Sequence, residues 1–124
     1  MDALNIKPEP PRVFITNYIA HNYDAAKTFG DFVPVTTGTV DLQDFDRVVA
    51  DVTKGILDSN HDDYLLLSGL NQLCVITAIL WFQYHGRVRL LMWNKNPNEY
   101  RLLELSEVKI EELLKMLNYG NGDS

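Results

Sequence analysis

The apolar residues of this chain fall into five short runs and three longer segments with helical spacing. The short runs, rich in β-branched and aromatic residues, predict strands at Val13–Tyr18, Asp31–Thr37, Tyr64–Leu67, Arg87–Trp93 and Glu99–Leu105. The longer segments predict helices at Asp41–Lys54, Gln72–His85 and Glu107–Asn118. Strands and helices therefore alternate along the middle of the chain, which is typical of α/β proteins.

The fold prediction depends on the segment Tyr64–Leu67 and the helix after it. Consecutive apolar positions indicate a strand covered on both faces, so we expect it at the centre of a parallel sheet. The helix Gln72–His85 is apolar nearly all round and is expected to be deeply buried. The polar run Asn94–Asn98 predicts a turn and an antiparallel hairpin. We predict a small three-layer Rossmann-like domain, a mostly parallel sheet of about five strands with a C-terminal antiparallel hairpin and a final helix.

Capping residues suggest where the helices begin and end. Asp41 is a good N-cap, Val40 and Phe45 have the spacing of a hydrophobic staple, and Gly55 is a natural stop. Ser106 should cap the last helix. Its apolar positions are expected to face the core: Val108, Ile110, Leu113, Leu114 and Leu117.

Composition places the chain among ordinary globular domains. Its 124 residues, 46% hydrophobic and 23% charged, are enough for one domain with a real core. Residues 1–11 carry three prolines and are expected to form a flexible arm, residues 12–118 a single α/β domain, and residues 119–124 a flexible tail.

Charge and cysteine content exclude several classes of protein. A net charge of −6 argues against binding to duplex nucleic acid or to anionic membranes. Cys74 is the only cysteine, so neither an intramolecular disulfide nor a Cys-based zinc site can form. The histidines are scattered, and no metal site or cofactor is expected. With no signal-peptide core or membrane-spanning run, a soluble, cytoplasmic protein is expected.

Polar residues directly follow three of the predicted strands. They are Asn17, Tyr18 and His21; Thr36, Thr37 and Gly38; and Ser68, Gly69 and Asn71. Carboxyl ends of parallel strands share one sheet edge, where α/β proteins bind ligands. Hydroxyl groups and helix-start amides there would hold an anion, with the backbone amides after Ser68 as its main donors. The alternative is that these residues only cap helices and shape turns.

The sequence carries no signature of a particular chemistry. Phosphate-loop and dinucleotide glycine patterns are absent, and Leu66 replaces the first glycine of a hydrolase elbow around Ser68. Trp93 and Tyr100 are expected to form an ordinary cross-strand pair, with a base-stacking surface as the alternative. Binding is therefore expected rather than catalysis.

The run Leu66-Leu67-Ser68-Gly69, the helix after it and the arginine-bearing strand carry one resemblance. Residues 32–105 resemble the Rossmann-like sensor domains that bind cyclic oligonucleotides as dimers. We expect a domain that binds a small anionic or nucleotide-like ligand at the carboxyl edge of the sheet. The surplus of large apolar residues at Trp81–Tyr84, Trp93 and Tyr100 predicts a homodimer. The alternatives are a structural or interaction protein, and a small hydrolase or nuclease using His21 and Asp24.

Overall fold

A computed structural model describes residues 9–19, 23–95 and 98–122 of the chain, with side chains through Asn118. The strands are β1 (Val13–Tyr18), β2 (Phe32–Thr37), β3 (Tyr64–Leu66), β4 (Arg87–Asn94) and β5 (Glu99–Ser106). The helices are α1 (Phe45–Ile56), α2 (Asn71–His85) and α3 (Glu107–Gly122), and a 3-10 segment spans Asp24–Phe29. The predicted arm lies largely outside the described residues.

The five strands form one sheet in the order β2-β1-β3-β4-β5. β2, β1, β3 and β4 run parallel, and β5 pairs antiparallel with β4. The predicted α/β fold is confirmed, including the central position of β3, the hairpin and the final helix. β2 is an edge strand, which accommodates Pro34 because an edge proline removes no bond from the ladder.

The sheet is covered differently on its two faces. α1 and α2 pack on one, the helical face, where Phe14 and Leu65 contact Val52 and Trp81. The opposite face is covered by the 3-10 segment and the residue before it, Tyr23. Side chains alternate between faces along a strand, so each strand contributes to both cores.

The chain connections reverse direction between β1 and β3. From β1 the chain moves to β2 through the 3-10 segment, whereas α1 and α2 carry it the other way across the sheet to β3 and β4. Right-handed crossovers that move in opposite directions place their connections on opposite faces. The carboxyl ends of β1 and β3 therefore flank a topological switch point, where α/β sheets bind ligands.

The predicted ends of α1 are wrong. The helix begins at Phe45, because the Asp44 carboxylate accepts a hydrogen bond from the Arg47 amide at 3.3 Å. Asp41 instead accepts one from the Gln43 amide, and Phe45 is exposed, so its staple with Val40 is not formed.

Gly55 does not stop α1, which continues to Ile56. It allows the helix to approach β2 closely: a Cβ atom at Gly55 would lie 2.5 Å from the carbonyl oxygen of Val35. The glycine therefore serves helix–strand packing rather than helix termination.

Burial of the last two helices is less than predicted. In α2 only Leu73, Thr77 and Trp81 are fully buried, and Val75 and Ile79 are exposed.

Ser106 caps α3 as predicted, since its hydroxyl accepts from the Lys109 amide at 3.1 Å. The prediction that the apolar side chains of α3 face the core is wrong. Ile110 is half-buried, and the others are exposed: Val108, Leu113, Leu114 and Leu117.

The hairpin brings Trp93 opposite Tyr100, with ring centroids 5.0 Å apart in an edge-on arrangement, so the predicted cross-strand pair is confirmed. Trp81 lies in the core against Phe14, so it is not part of the exposed apolar surface from which the homodimer was predicted.

Among the described helices, none has the length and apolar character needed to cross a membrane.

Candidate functional site

Thr16 joins the carboxyl ends of β1 and β3. Its hydroxyl donates to the carbonyl oxygen of Ser68 at 2.5 Å and accepts from the amide of the same residue at 2.7 Å. Thr16 is fully buried, so both backbone groups of Ser68 are satisfied without water. The Ser68 amide is therefore unavailable to a ligand, and the first turn after β3 is held against β1.

A second set of hydrogen bonds joins β1 to β2. The Thr36 hydroxyl donates to the Thr16 carbonyl oxygen at 2.7 Å and lies 3.1 Å from Oδ1 of Asn17. Nδ2 of Asn17 donates to the carbonyl oxygen of Gly38 at 3.1 Å. The structure thus brings five of the predicted site residues together: Asn17, Thr36, Gly38, Ser68 and Gly69. Most of the polar groups described here are bonded to one another, in contacts that join strands and turns rather than cap helices.

The predicted nest of donors at the start of α2 is assembled only in part. Gly69 has a positive φ of 100°, and a Cβ there would lie 2.9 Å from the Asn17 Cβ, so Asn17 covers this side of the turn. Leu70 is the N-cap, and its side chain makes no capping hydrogen bond. The Ser68 hydroxyl bonds to Tyr23 instead, away from the first amides of α2. Asn71 is exposed as the first residue of the helix.

The remaining predicted residues do not converge on one point. Tyr18 is exposed and its ring lies 5.4 Å from that of Tyr23. Thr37 is exposed at the end of β2. His21 lies outside the described residues.

An open cleft of about 680 Å³ lies beside Ser68. It exists because β4 is longer than β3: Leu66, the last residue of β3, pairs with Leu91, and β4 continues for three more residues to Asn94. At about 3.3 Å per residue, the hairpin extends about 10 Å beyond the end of β3. The extension forms one wall, and Tyr23 and the turn at Leu67–Ser68 form the other. We call this space the aromatic cleft.

The aromatic cleft has an apolar lining with a few polar groups. The Tyr23 hydroxyl and Ser68 Oγ lie 2.6 Å apart. Trp93 and Tyr100 contribute a paired aromatic surface, and Lys95 brings a positive charge to the tip of the hairpin. Burial raises the pKa of Tyr100, helped by the nearby Tyr23, so its phenol stays protonated and can donate a hydrogen bond at neutral pH.

The signal for this cleft in the sequence is the aromatic pair, whose spacing by itself predicts only an ordinary cross-strand contact. The contribution of Tyr23 could not be read from the sequence, because it depends on the 3-10 segment folding back under the sheet. Lys95 could be placed in the hairpin turn but not beside Ser68.

A second groove of about 540 Å³ lies between the end of β2 and α1. Thr36, Thr37 and Thr39 line it. Its other polar lining residues are Asp41, Asp44, Arg47, Asp51 and Lys54. Three carboxylates outnumber two cations, and Asp44 already caps the helix. This groove is therefore a poorer site for an anion than the aromatic cleft.

A serine–histidine pair lies at the opposite end of the sheet, where sequence reasoning placed no site. Ser59 Oγ lies 2.7 Å from Nε2 of His85, and it also donates to the carbonyl oxygen of Ile56 at 2.5 Å. The single hydroxyl proton is thereby engaged, so His85 donates to Ser59 rather than acting as its base. Burial lowers the pKa of His85, with His61 as a smaller cause, and favours this neutral imidazole. The pair ties the end of α1 to the end of α2.

The fold and cleft define a class: a small α/β domain with a mixed sheet and a ligand-sized cleft at the carboxyl edge of its central strands. A family model described as Phage Pam3 gp32-like protein matches residues 11–107. The chain belongs to this family. The match covers the whole sheet with α1 and α2 and ends at the first residue of α3.

Searches of curated proteins and of solved structures found no match. The resemblance of residues 32–105 to sensors of cyclic oligonucleotides gains no support from these comparisons and stays a prediction.

Proposed function

We propose that this protein binds a small anionic ligand with a flat, nucleotide-like body in the aromatic cleft. The observation that carries the proposal is the position of the cleft. It opens beside Ser68 at the carboxyl ends of β3 and β4, next to the topological switch point. Its volume of about 680 Å³ falls within the range of small-molecule sites.

The shape of the ligand follows from the aromatic wall. Trp93 is half exposed and held edge-on by Tyr100, so one indole face remains available for stacking. Stacking on an aromatic side chain tolerates any flat ring and favours nucleobases and similar heterocycles.

The charge and polarity of the ligand follow from the rim. Lys95 forms no ion pair within the described part of the chain and lines the cleft. Ser68 and Tyr23 share one hydrogen bond on the opposite side. An anionic group near the lysine and a polar edge near the hydroxyls would satisfy both. Catalysis is not proposed, because the described residues that line the cleft include no carboxylate or imidazole.

Calorimetric titration and thermal shift with nucleotides, cyclic dinucleotides and phosphorylated metabolites test the proposal. For a compound that binds, Trp93→Ala should weaken affinity by about 5- to 150-fold, the equivalent of about 1–3 kcal/mol of stacking. Phe45→Ala, which removes an exposed aromatic ring from the start of α1, is the matched control and should leave affinity unchanged.

The charge contact has its own control. Lys95→Gln should weaken an anionic ligand by roughly tenfold, whereas Lys54→Gln, in the second groove, should have no effect. The reverse pattern would move the site to the groove between β2 and α1. Failure of every compound to bind would reject the proposal and favour the interaction-protein alternative.

A further inference from the structure

Helix α3 has an apolar stripe that the described residues of its own chain leave exposed. Ile110, Leu113, Leu114 and Leu117 have the i, i+3, i+4, i+7 spacing of a helix that packs on a surface. Yet Leu113 is 45% exposed and Leu117 is 61% exposed. In proteins, most of the stability of a helix comes from the packing of its apolar face against other parts of the structure. We therefore expect the stripe to pack on an apolar partner surface.

The helical face of the sheet has a strip on which none of the described helices packs. Val88, Leu90 and Met92 alternate onto this face, and their register partners in β5 are Leu105, Leu103 and Arg101. Met92 is 49% exposed and Leu103 is 50% exposed. Core residues along the same side stay only partly buried: Ile76, Leu80, Leu90 and Leu105. We call this the open strip.

In this structure, α3 does not reach the open strip of its own chain. β5 ends at Ser106 and α3 begins at Glu107, with no residue between them. Connections that return a helix onto its sheet ordinarily use two to six residues. The start of α3 is also fixed, since the Glu107 amide donates to the carbonyl oxygen of Gly86 at 3.1 Å and Ser106 caps the helix.

We propose that α3 packs on the open strip of a second copy of this chain, and that the exchange is reciprocal in a two-fold dimer. Each chain carries both halves of the contact, an apolar helix and an uncovered apolar surface, which is the condition for exchange of an element between protomers.

Size and charge both fit a second copy. A 16-residue helix is about 24 Å long and about 10 Å wide, so two reciprocal contacts bury roughly 1,000 Å² in all, the lower limit for a specific interface. Arg101 lies on the same face as the strip and forms no ion pair within the described residues. Glu111 flanks the apolar stripe of α3 and likewise has no ion pair there, so the two charges complement each other across the interface.

Sedimentation equilibrium between about 1 and 100 μM tests the dimer. The wild-type protein should be dimeric, and Leu113→Glu combined with Leu117→Glu should weaken the dimer at least 100-fold. Leu57→Glu is the control, because Leu57 is 60% exposed but lies after α1, away from both surfaces. A monomer at 100 μM, a dimer that resists the double substitution, or a larger assembly would overturn the proposal.

Cross-linking tests the contact itself without depending on the stability of the variants. In a Cys74→Ala background, which removes the native thiol, a chain carrying Leu103→Cys mixed with one carrying Leu114→Cys should give a covalent heterodimer under mild oxidation, and a chain carrying Leu57→Cys should not. In a single chain with both cysteines, a cross-linked dimer is expected. An intramolecular cross-link would show that α3 folds onto its own sheet and would reject exchange.

Discussion

Replacing Thr16 with valine should destabilise the protein strongly although the two side chains have nearly the same shape. Thr16 is fully buried, and its hydroxyl bonds to both the amide and the carbonyl oxygen of Ser68. Valine fits the strand but leaves both backbone groups without a partner. A buried polar group that loses its partner costs about 1–3 kcal/mol, so Thr16→Val should lose about 2–5 kcal/mol of unfolding free energy.

Urea denaturation monitored by tryptophan fluorescence measures this loss directly, with the slope of the transition as a check on two-state behaviour. Thr39→Val, at an exposed position in the loop after β2, is the matched control and should change stability by less than about 0.5 kcal/mol. A loss below about 1 kcal/mol for Thr16→Val would show that water replaces the hydroxyl. The joint between β1 and β3 would then be looser than the structure indicates.

Two further substitutions probe packing and charge away from the cleft. Gly55→Ala should cost about 2 kcal/mol or more in urea denaturation despite the better helix propensity of alanine, because its Cβ would meet the Val35 carbonyl oxygen at 2.5 Å; a neutral or stabilising result would contradict the close packing of α1 on β2. Burial lowers the pKa of His85 in the folded state. The stability contributed by the neutral imidazole is therefore complete above about pH 6.5, the ordinary pKa of histidine, and is lost as the pH falls from there towards the lower pKa of the folded state. Urea denaturation from pH 7.5 to 5.5 should therefore show a smaller loss of stability for His85→Gln than for wild type, and His61→Gln, which removes only the smaller cause of the shift, should lie between the two.

The α/β fold, the central position of β3 and the hairpin could be predicted because their signals are local. Continuous apolar residues in β3, polar residues at the hairpin turn and the cap at Ser106 each act within a few positions of the chain. Right-handed crossovers then leave few arrangements for the strands. The meeting of β1 and β3 at one edge followed from the same argument, and Asn17 and Ser68 lie there as expected.

Which groups the side chains at that edge bind could not be predicted, because these contacts join distant parts of the chain. Whether the Ser68 hydroxyl turns to α2 or to Tyr23 is decided by the fold of the 3-10 segment, and it turns to Tyr23. The prediction that α3 is buried is wrong for a related reason. The helical pattern shows which face is apolar, but not whether the same chain supplies the surface that covers it.

The β4–β5 hairpin connects the two proposed surfaces. Trp93 and Tyr100 lie in the aromatic cleft. Met92, which precedes Trp93, and Leu103, the register partner of Leu90, form part of the open strip. One short hairpin would therefore be ordered from both sides, by a ligand on one face and by α3 of a second copy on the other. Binding free energies at two such sites are linked reciprocally: a ligand that strengthens the dimer by some factor must itself bind the dimer more tightly by the same factor. The dissociation constant of the dimer, measured with and without a cleft ligand, distinguishes two cases. If the hairpin couples the two surfaces, the dissociation constants of the dimer and of the ligand change together. If the surfaces are independent, the dissociation constant of the dimer stays unchanged.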